Sequence, residues 1–430
     1  MKPKPLKLIF LFFLLNILFI RCNDQIIETY VANVPIYLSY EDFRNAIKSE
    51  PPQDIQNPGK IYFYHNLLFI NEYLKGIHVI DNSNPSSPQK QSFISIPGNV
   101  DLAIKNDILF ADSYIDLISL DISDPENIKV VGRKKDIFPY VLPPYDEDYR
   151  VDEVDFEKGI VVDWELKKIT KEIEQRTYPV FPYSDKTDFM VNTYSSGNTG
   201  YSDNNSSLGV GGSMARFAIK NNTLFIIDNY NYTLKVFNIE NYSDIILSNT
   251  IYTTWAIETL FPYKNYLFMG SQNGLMIYDI SKPQYPEFIS DHWHATSCDP
   301  VVVEGNYAYI TLRSGNSCGA IENRLDVIDI SNIINPIHLE SYAMDEPYGL
   351  GIDDSILFVC DGSSGLKIFD ITDKLRITDN LIAQFRDIQA YDAIPFNDVL
   401  MLIGDDGLYQ YDYSNIKDIE LLSTIAVNVK

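Results

Sequence analysis

The stretch LDVIDISNI, residues 325–333, carries the reading on which the fold rests. It runs apolar and β-branched through Val327 and Ile328, reaches Asp329, then breaks into a Ser-Asn turn, the pattern of a strand closed by a polar turn. The same phrase recurs as GIHVIDNSNP (76–85), LISLDISDP (117–125), LKVFNIENY (234–242), LMIYDISKP (275–283), LKIFDITDK (366–374) and LYQYDYSNI (408–416). The central residues are Asp81, Asp121, Asn238, Asp279, Asp329, Asp370 and Asp412, spaced by 40, 117, 41, 50, 41 and 42 positions. The period is therefore near forty-one, with one large and one small insertion.

Other short apolar segments keep step with this one. A strand precedes each copy, as in ILFADSY (108–114) or ILFVCDG (356–362). Another lies further upstream, as in DPVVVEGN (299–306), and a fourth follows the turn, as in IHLESY (337–342). Four short strands per repeat, with no helical period through them, predict an all-β fold: a seven-bladed β-propeller of four-stranded antiparallel blades. The alternative is eight blades, the extra one a degenerate blade built on GIVVDWELKKITKEIE (159–174) within the large insertion, 139–213. Residues 22–59 form a lead-in with a helical patch at 40–50, and 60–430 the repeat domain.

The core of the repeat, notably Asp-Ile-Ser-Asp-Pro at 121–125 and Val-Ile-Asp-Ile-Ser at 327–331, resembles the LVIVD repeat family of bacterial and archaeal propellers. The resemblance implies the propeller fold and an extracytoplasmic surface protein, and implies no particular chemistry.

Propeller connectivity sorts the candidates by face. With strands A to D counted outward, A–B and C–D turns leave one face, B–C turns and D-to-A connections the other. The repeated Asp stands at the C–D turn, where its expected work is to accept a backbone N–H. The irregular segments fall on the opposite face: the large insertion, the D-to-A segment 291–299, and an expanded B–C loop from Arg313 to Asn323. His292, Trp293, His294, Asp299 and Arg313 are the candidate binding residues of this rim. Cys298 and Cys318 are expected to bridge if the compartment is oxidising, while Cys360 ends an apolar run and reads as an inert buried thiol.

His292 and His294 point the same way on extended chain, the geometry of a zinc pair, though spacing offers no third ligand. The acidic run 146–157 places Arg150 and Val151 where a calcium loop needs a ligand and a glycine. No cofactor is expected, with zinc at the first site and calcium at the second as the ions considered. The sequence holds no G-x-S-x-G, H-E-x-x-H or P-loop. The expected role is a non-catalytic binding module; the rival is a hydrolase or lyase with a metal-assisted site near His292 and His294.

The net charge of −25 disfavours nucleic acid and leaves a protein or envelope polymer as partner. Lys2, Lys4 and Lys7 precede an apolar run from Leu8 to Ile20, and Cys22 follows it. Residues 1–21 thus read as a signal peptide, and Cys22 as a lipidation site resembling that of bacterial lipoproteins. A plain secretory signal is the alternative. The expected location is the bacterial cell envelope, on the outer membrane or cell surface, held by a lipid anchor.

Overall fold

Strands whose apolar residues face both ways need cover on both sides, and stacked antiparallel sheets supply it. The computed structural model describes residues 26–173, 210–293, 300–314 and 322–427. They form two units, one from residues 26–38 and 142–173, the other from the described residues of 39–141 and 210–427.

In the larger unit, seven sheets among the described residues contain a four-stranded antiparallel meander. The first has strands A to D at Pro58–Tyr64, Leu67–Glu72, Gly76–Asp81 and Gln89–Ser95, and the seventh at Ala390–Phe396, Val399–Gly404, Gly407–Asp412 and Glu420–Ala426. Strands B and C are apolar on both faces because both are covered: Leu68, Phe69 and Ile70 are 0% exposed, as are Leu357, Phe358 and Val359. Each such aliphatic or aromatic side chain contributes roughly 1.5–3 kcal/mol on burial. The D strands are outermost, and Ile337–Ala343 is largely exposed. All seven C–D pairs carry a register shift at the same place, for example at Val79/Ile80, Ile277/Tyr278 and Gln410/Tyr411. A bulge at a fixed position twists every outer strand alike.

Neighbouring sheets are joined by a repeated bond from a D-strand serine to a carbonyl in the next C–D turn. Ser92 donates to Pro125 O (3.0 Å) and Ser290 to Ile333 O (2.6 Å). The last sheet makes the same bond to the first, Ser423 to Pro85 O (2.6 Å). There the side-chain amides of Asn82 and Gln410 also pair reciprocally, at 2.8 and 2.7 Å. A-strand contacts follow the same cycle, each sheet to the next and the seventh to the first.

The helical patch is shorter than expected. Helix α1 spans Tyr40–Asn45, and Lys48–Glu50 instead adds a strand outside the D strand of the first sheet. Helix α1 docks by burying Phe43 and by Arg44, whose Nε donates to Asp116 Oδ2 at 2.9 Å.

The smaller unit corrects the reading of 159–174 as an extra blade. Ile160–Ile173 pairs antiparallel with Ile26–Leu38, and Arg150–Val151 lies parallel on the other side, in a separate three-stranded sheet. A strand of this length finds a full-length partner in the lead-in, which no short blade strand offers.

Candidate binding face

At the C–D end the seven sheets are alike. Asp81, Asp121, Asp279, Asp329, Asp370 and Asp412, with Asn238, each accept the backbone N–H two residues on, at 2.7–3.0 Å. The Ser or Thr hydroxyl at that position and then its N–H hold the six carboxyls below their ordinary range. This end is structural and repetitive, as the turn chemistry predicted.

The opposite end is irregular. His292 and Trp293 close the D strand Glu287–Trp293 of the fourth sheet, opposite Leu275 and Gly274. Trp293 is 67% exposed. The His292 ring lies parallel to that of His338, centroids 6.3 Å apart, and His338 Nε2 is 2.9 Å from Ser341 Oγ. Arg313 engages other groups: its guanidinium lies over the Tyr348 ring at 4.0 Å, Nη1 donates to that tyrosine's hydroxyl at 3.1 Å, and Glu346 is 3.8 Å away. Asp361, fully buried, accepts the N–H groups of Asp345 and Glu346 and pairs with Lys367, fixing the loop on which Tyr348 stands. His294, Cys298, Asp299 and Cys318 lie outside the described residues, as does Cys22. Cys360 is free and 0% exposed, and burial raises its thiol pKa well above normal.

Sequence reading missed a run of rings on the same end. Tyr230 and Tyr232, in the B–C loop of the third sheet, are 68% and 53% exposed, and Tyr252, ending its D strand, is 80% exposed. The signal was present in NYNYT (229–233), a B–C turn carrying two tyrosines where the fourth, sixth and seventh repeats carry glycine.

It also missed what becomes of the end of the large insertion. Val210–Gly211 pairs with Tyr62 and Phe63 on the free edge of the innermost strand of the first sheet. Ser213 N donates to Asp392 Oδ1 in the seventh sheet (3.2 Å), and Leu350 N in the sixth donates to Ser213 Oγ (2.8 Å). Leu260 N in the fourth donates to Ala215 O (2.9 Å), and Arg216 N donates to Asp101 beside the second (2.7 Å). Residues 210–216 thus reach the inner strands or their entries in five sheets. Asp101 also pairs with Lys60, both nearly inaccessible. Burial pushes the neighbouring Asp112 carboxyl up to about 6 and that of Asp392 well above the normal range.

The acidic run is tied into the smaller unit. Asn33 Nδ2 donates to the carbonyls of Asp146 and Tyr149, Asp155 caps a 3₁₀ turn at Phe156–Lys158, and Asp152 pairs with Lys171. Among the described residues no group of three or more His, Cys, Asp or Glu is placed to hold a metal ion.

Repeated four-stranded sheets with one uniform and one irregular end define a β-propeller-like protein. Residues 60–92, 263–291 and 296–344 match the LVIVD repeat, so the chain carries LVIVD repeats. Solved structures similar to it include a candidate 6-phosphogluconolactonase of Bacteroides uniformis ATCC 8492, at 9% identity and TM-score 0.55 over 87% of this chain and 98% of that one. One from Bacteroides fragilis NCTC 9343, likewise described, has 10% identity and TM-score 0.51 over 86% and 96%. A Lactobacillus plantarum protein has 11% identity and TM-score 0.50 over 86% and 97%. At these identities the likeness is one of fold alone. No curated protein matches the chain in sequence.

Proposed function

We propose that this chain is an exported seven-bladed β-propeller, anchored by lipid at Cys22, that binds a protein or envelope polymer through its B–C and D-to-A face without catalysis. Seven blades are supported by the Ser423–Pro85 bond, which repeats between last and first sheets the contact seen between successive ones. The observation that carries the binding role is the confinement of singular features, Trp293 and the Arg313–Tyr348 pair among them, to one end of an otherwise repetitive scaffold. The segment 210–216, lodged among the inner strands, takes space that a channel-centred reaction would need. His292, central to the enzymatic rival, stacks on His338.

The test uses the full chain in mild detergent as bait for envelope fractions. A retained component lost on combining Trp293→Ala with Arg313→Ala supports the proposal; retention of nothing, or retention indifferent to both changes, rejects it. Labelling with a clickable palmitate should give a signal that Cys22→Ser removes. A Cys298–Cys318 bridge predicts two thiols fewer by alkylation and mass spectrometry before reduction than after.

A further inference from the structure

The exposed rings of the binding face stand on loops that hydrogen bonds connect from one sheet to the next. Thr253 N donates to Tyr232 O (3.0 Å) and Thr253 Oγ1 to Trp255 O (2.8 Å), which ties the loop bearing Tyr230 and Tyr232 to the segment that follows Tyr252. Trp255 is partly buried and packs on the core cluster that contains Leu234 and Ile257. The next residue leads into the fourth sheet: Gln272 N donates to Ala256 O (3.1 Å), and Gly274, two residues on, pairs with Trp293. Tyr230, Tyr232, Tyr252, Trp255 and Trp293 thus lie along consecutive loops of two adjacent sheets.

The chemistry between the rings selects the occupant. The loops read Asn-Tyr-Asn-Tyr-Thr (229–233), Tyr-Thr-Thr-Trp (252–255) and Gln-Asn-Gly (272–274), with no charged residue in a chain of net charge −25, and the exposed charge beside Trp293 is the acid Asp291. Asp228, which precedes the first, is 2% exposed and taken up by Lys235 and Asn231. Asn229 Oδ1, in the same loop, is a shielded acceptor without a hydrogen-bond partner in the structure. An anionic polymer finds no counter-charge in these loops. An amphipathic helix needs a continuous apolar groove, whereas these rings are separated by amides and hydroxyls. A pyranose offers the matching surface: an apolar C–H face to lie on a ring, and equatorial hydroxyls for the amides between.

We propose that these loops bind a neutral polysaccharide. The inference rests on the non-catalytic binding role above and names its ligand class. The full chain in mild detergent is run through native gels cast with soluble β-glucan, α-mannan or galactan, with polygalacturonate as anionic control. Retardation is expected in at least one neutral gel. Tyr230→Ala, Tyr252→Ala and Trp293→Ala should each weaken it by about tenfold, whereas Tyr285→Ala, an exposed ring in a C–D turn at the other end, leaves it unchanged. The three rings are exposed, so thermal unfolding of the variants should match the parent and exclude misfolding. No retardation in any neutral gel, retardation only in the anionic gel, or an equal loss with Tyr285→Ala overturns the inference. If envelope components are still retained in that case, the binding role survives; if nothing is retained, both fall.

Discussion

Asp392 is 0% exposed; its Oδ1 accepts Ser213 N and its Oδ2 has no hydrogen-bond partner. Burial keeps its carboxyl protonated well above the ordinary range, and Asp112 follows it up to about 6. The unfolded chain releases these protons near the ordinary value of 3.8, so the native state binds more protons above that pH. Their contribution to stability is complete below the ordinary value and declines as pH rises through each raised one. Asp392→Asn is neutral at every pH. Its urea midpoint relative to the parent should therefore rise as the pH climbs above the ordinary carboxyl value; a constant difference would show that the carboxyl does not titrate with folding. The turn aspartates act in the opposite sense. Their carboxyls are held low by Ser or Thr hydroxyls, so their contribution is present above the ordinary value and disappears as pH falls through the lowered one.

Among the elements, the segment 210–216 depends on close approach. A Cβ added at Gly212 would stand 2.0 Å from Asp392 Oδ2, and one at Gly349 2.7 Å from Oδ1. Gly212→Ala should cost about 1–3 kcal/mol, seen as a lowered midpoint in thermal or urea unfolding. Asp101 has the larger stake, since it receives Lys60 and the N–H groups of Arg216 and Phe217. Asp101→Ala leaves a buried ammonium uncompensated and should cost about 3–5 kcal/mol, while pairing it with Lys60→Met should recover much of the loss in a double-mutant cycle. Additive losses would mean that the two groups do not act as a pair. Local chemistry explains which elements were legible. VIDIS turns and their strands could be read because the Asp-to-N–H bond closes within three residues. Helix α1 was read too long because the short Lys48–Glu50 strand exists only where Ser95 and Phe93 offer an edge.

For the whole molecule, the junction between first and last sheets bears on closure. Asn82 and Gln410 are 328 positions apart, and each is the other's buried partner. Gln410→Leu strands the Asn82 amide and should cost about 1–3 kcal/mol. If the sheets close into one ring, unfolding should stay a single transition by fluorescence and circular dichroism, shifted as one. A separate early transition for one sheet would mean an open array.

The sequence by itself determined the repeat, the order of strands within each sheet, the chemistry of the uniform face and the positions of the irregular loops. All of these follow from short-range alternation and from turns that satisfy their own backbone groups. Tertiary structure alone decided that Ile26–Leu38 pairs with Ile160–Ile173, that 210–216 lodges among the inner strands, that Arg313 rests on Tyr348, and that Tyr230, Tyr232, Tyr252 and Trp293 stand exposed at one end of adjacent sheets. The physical reason is common to all four. Each contact joins chain segments whose edges or side chains are unsatisfied separately, and nothing in the local pattern of either segment names the other.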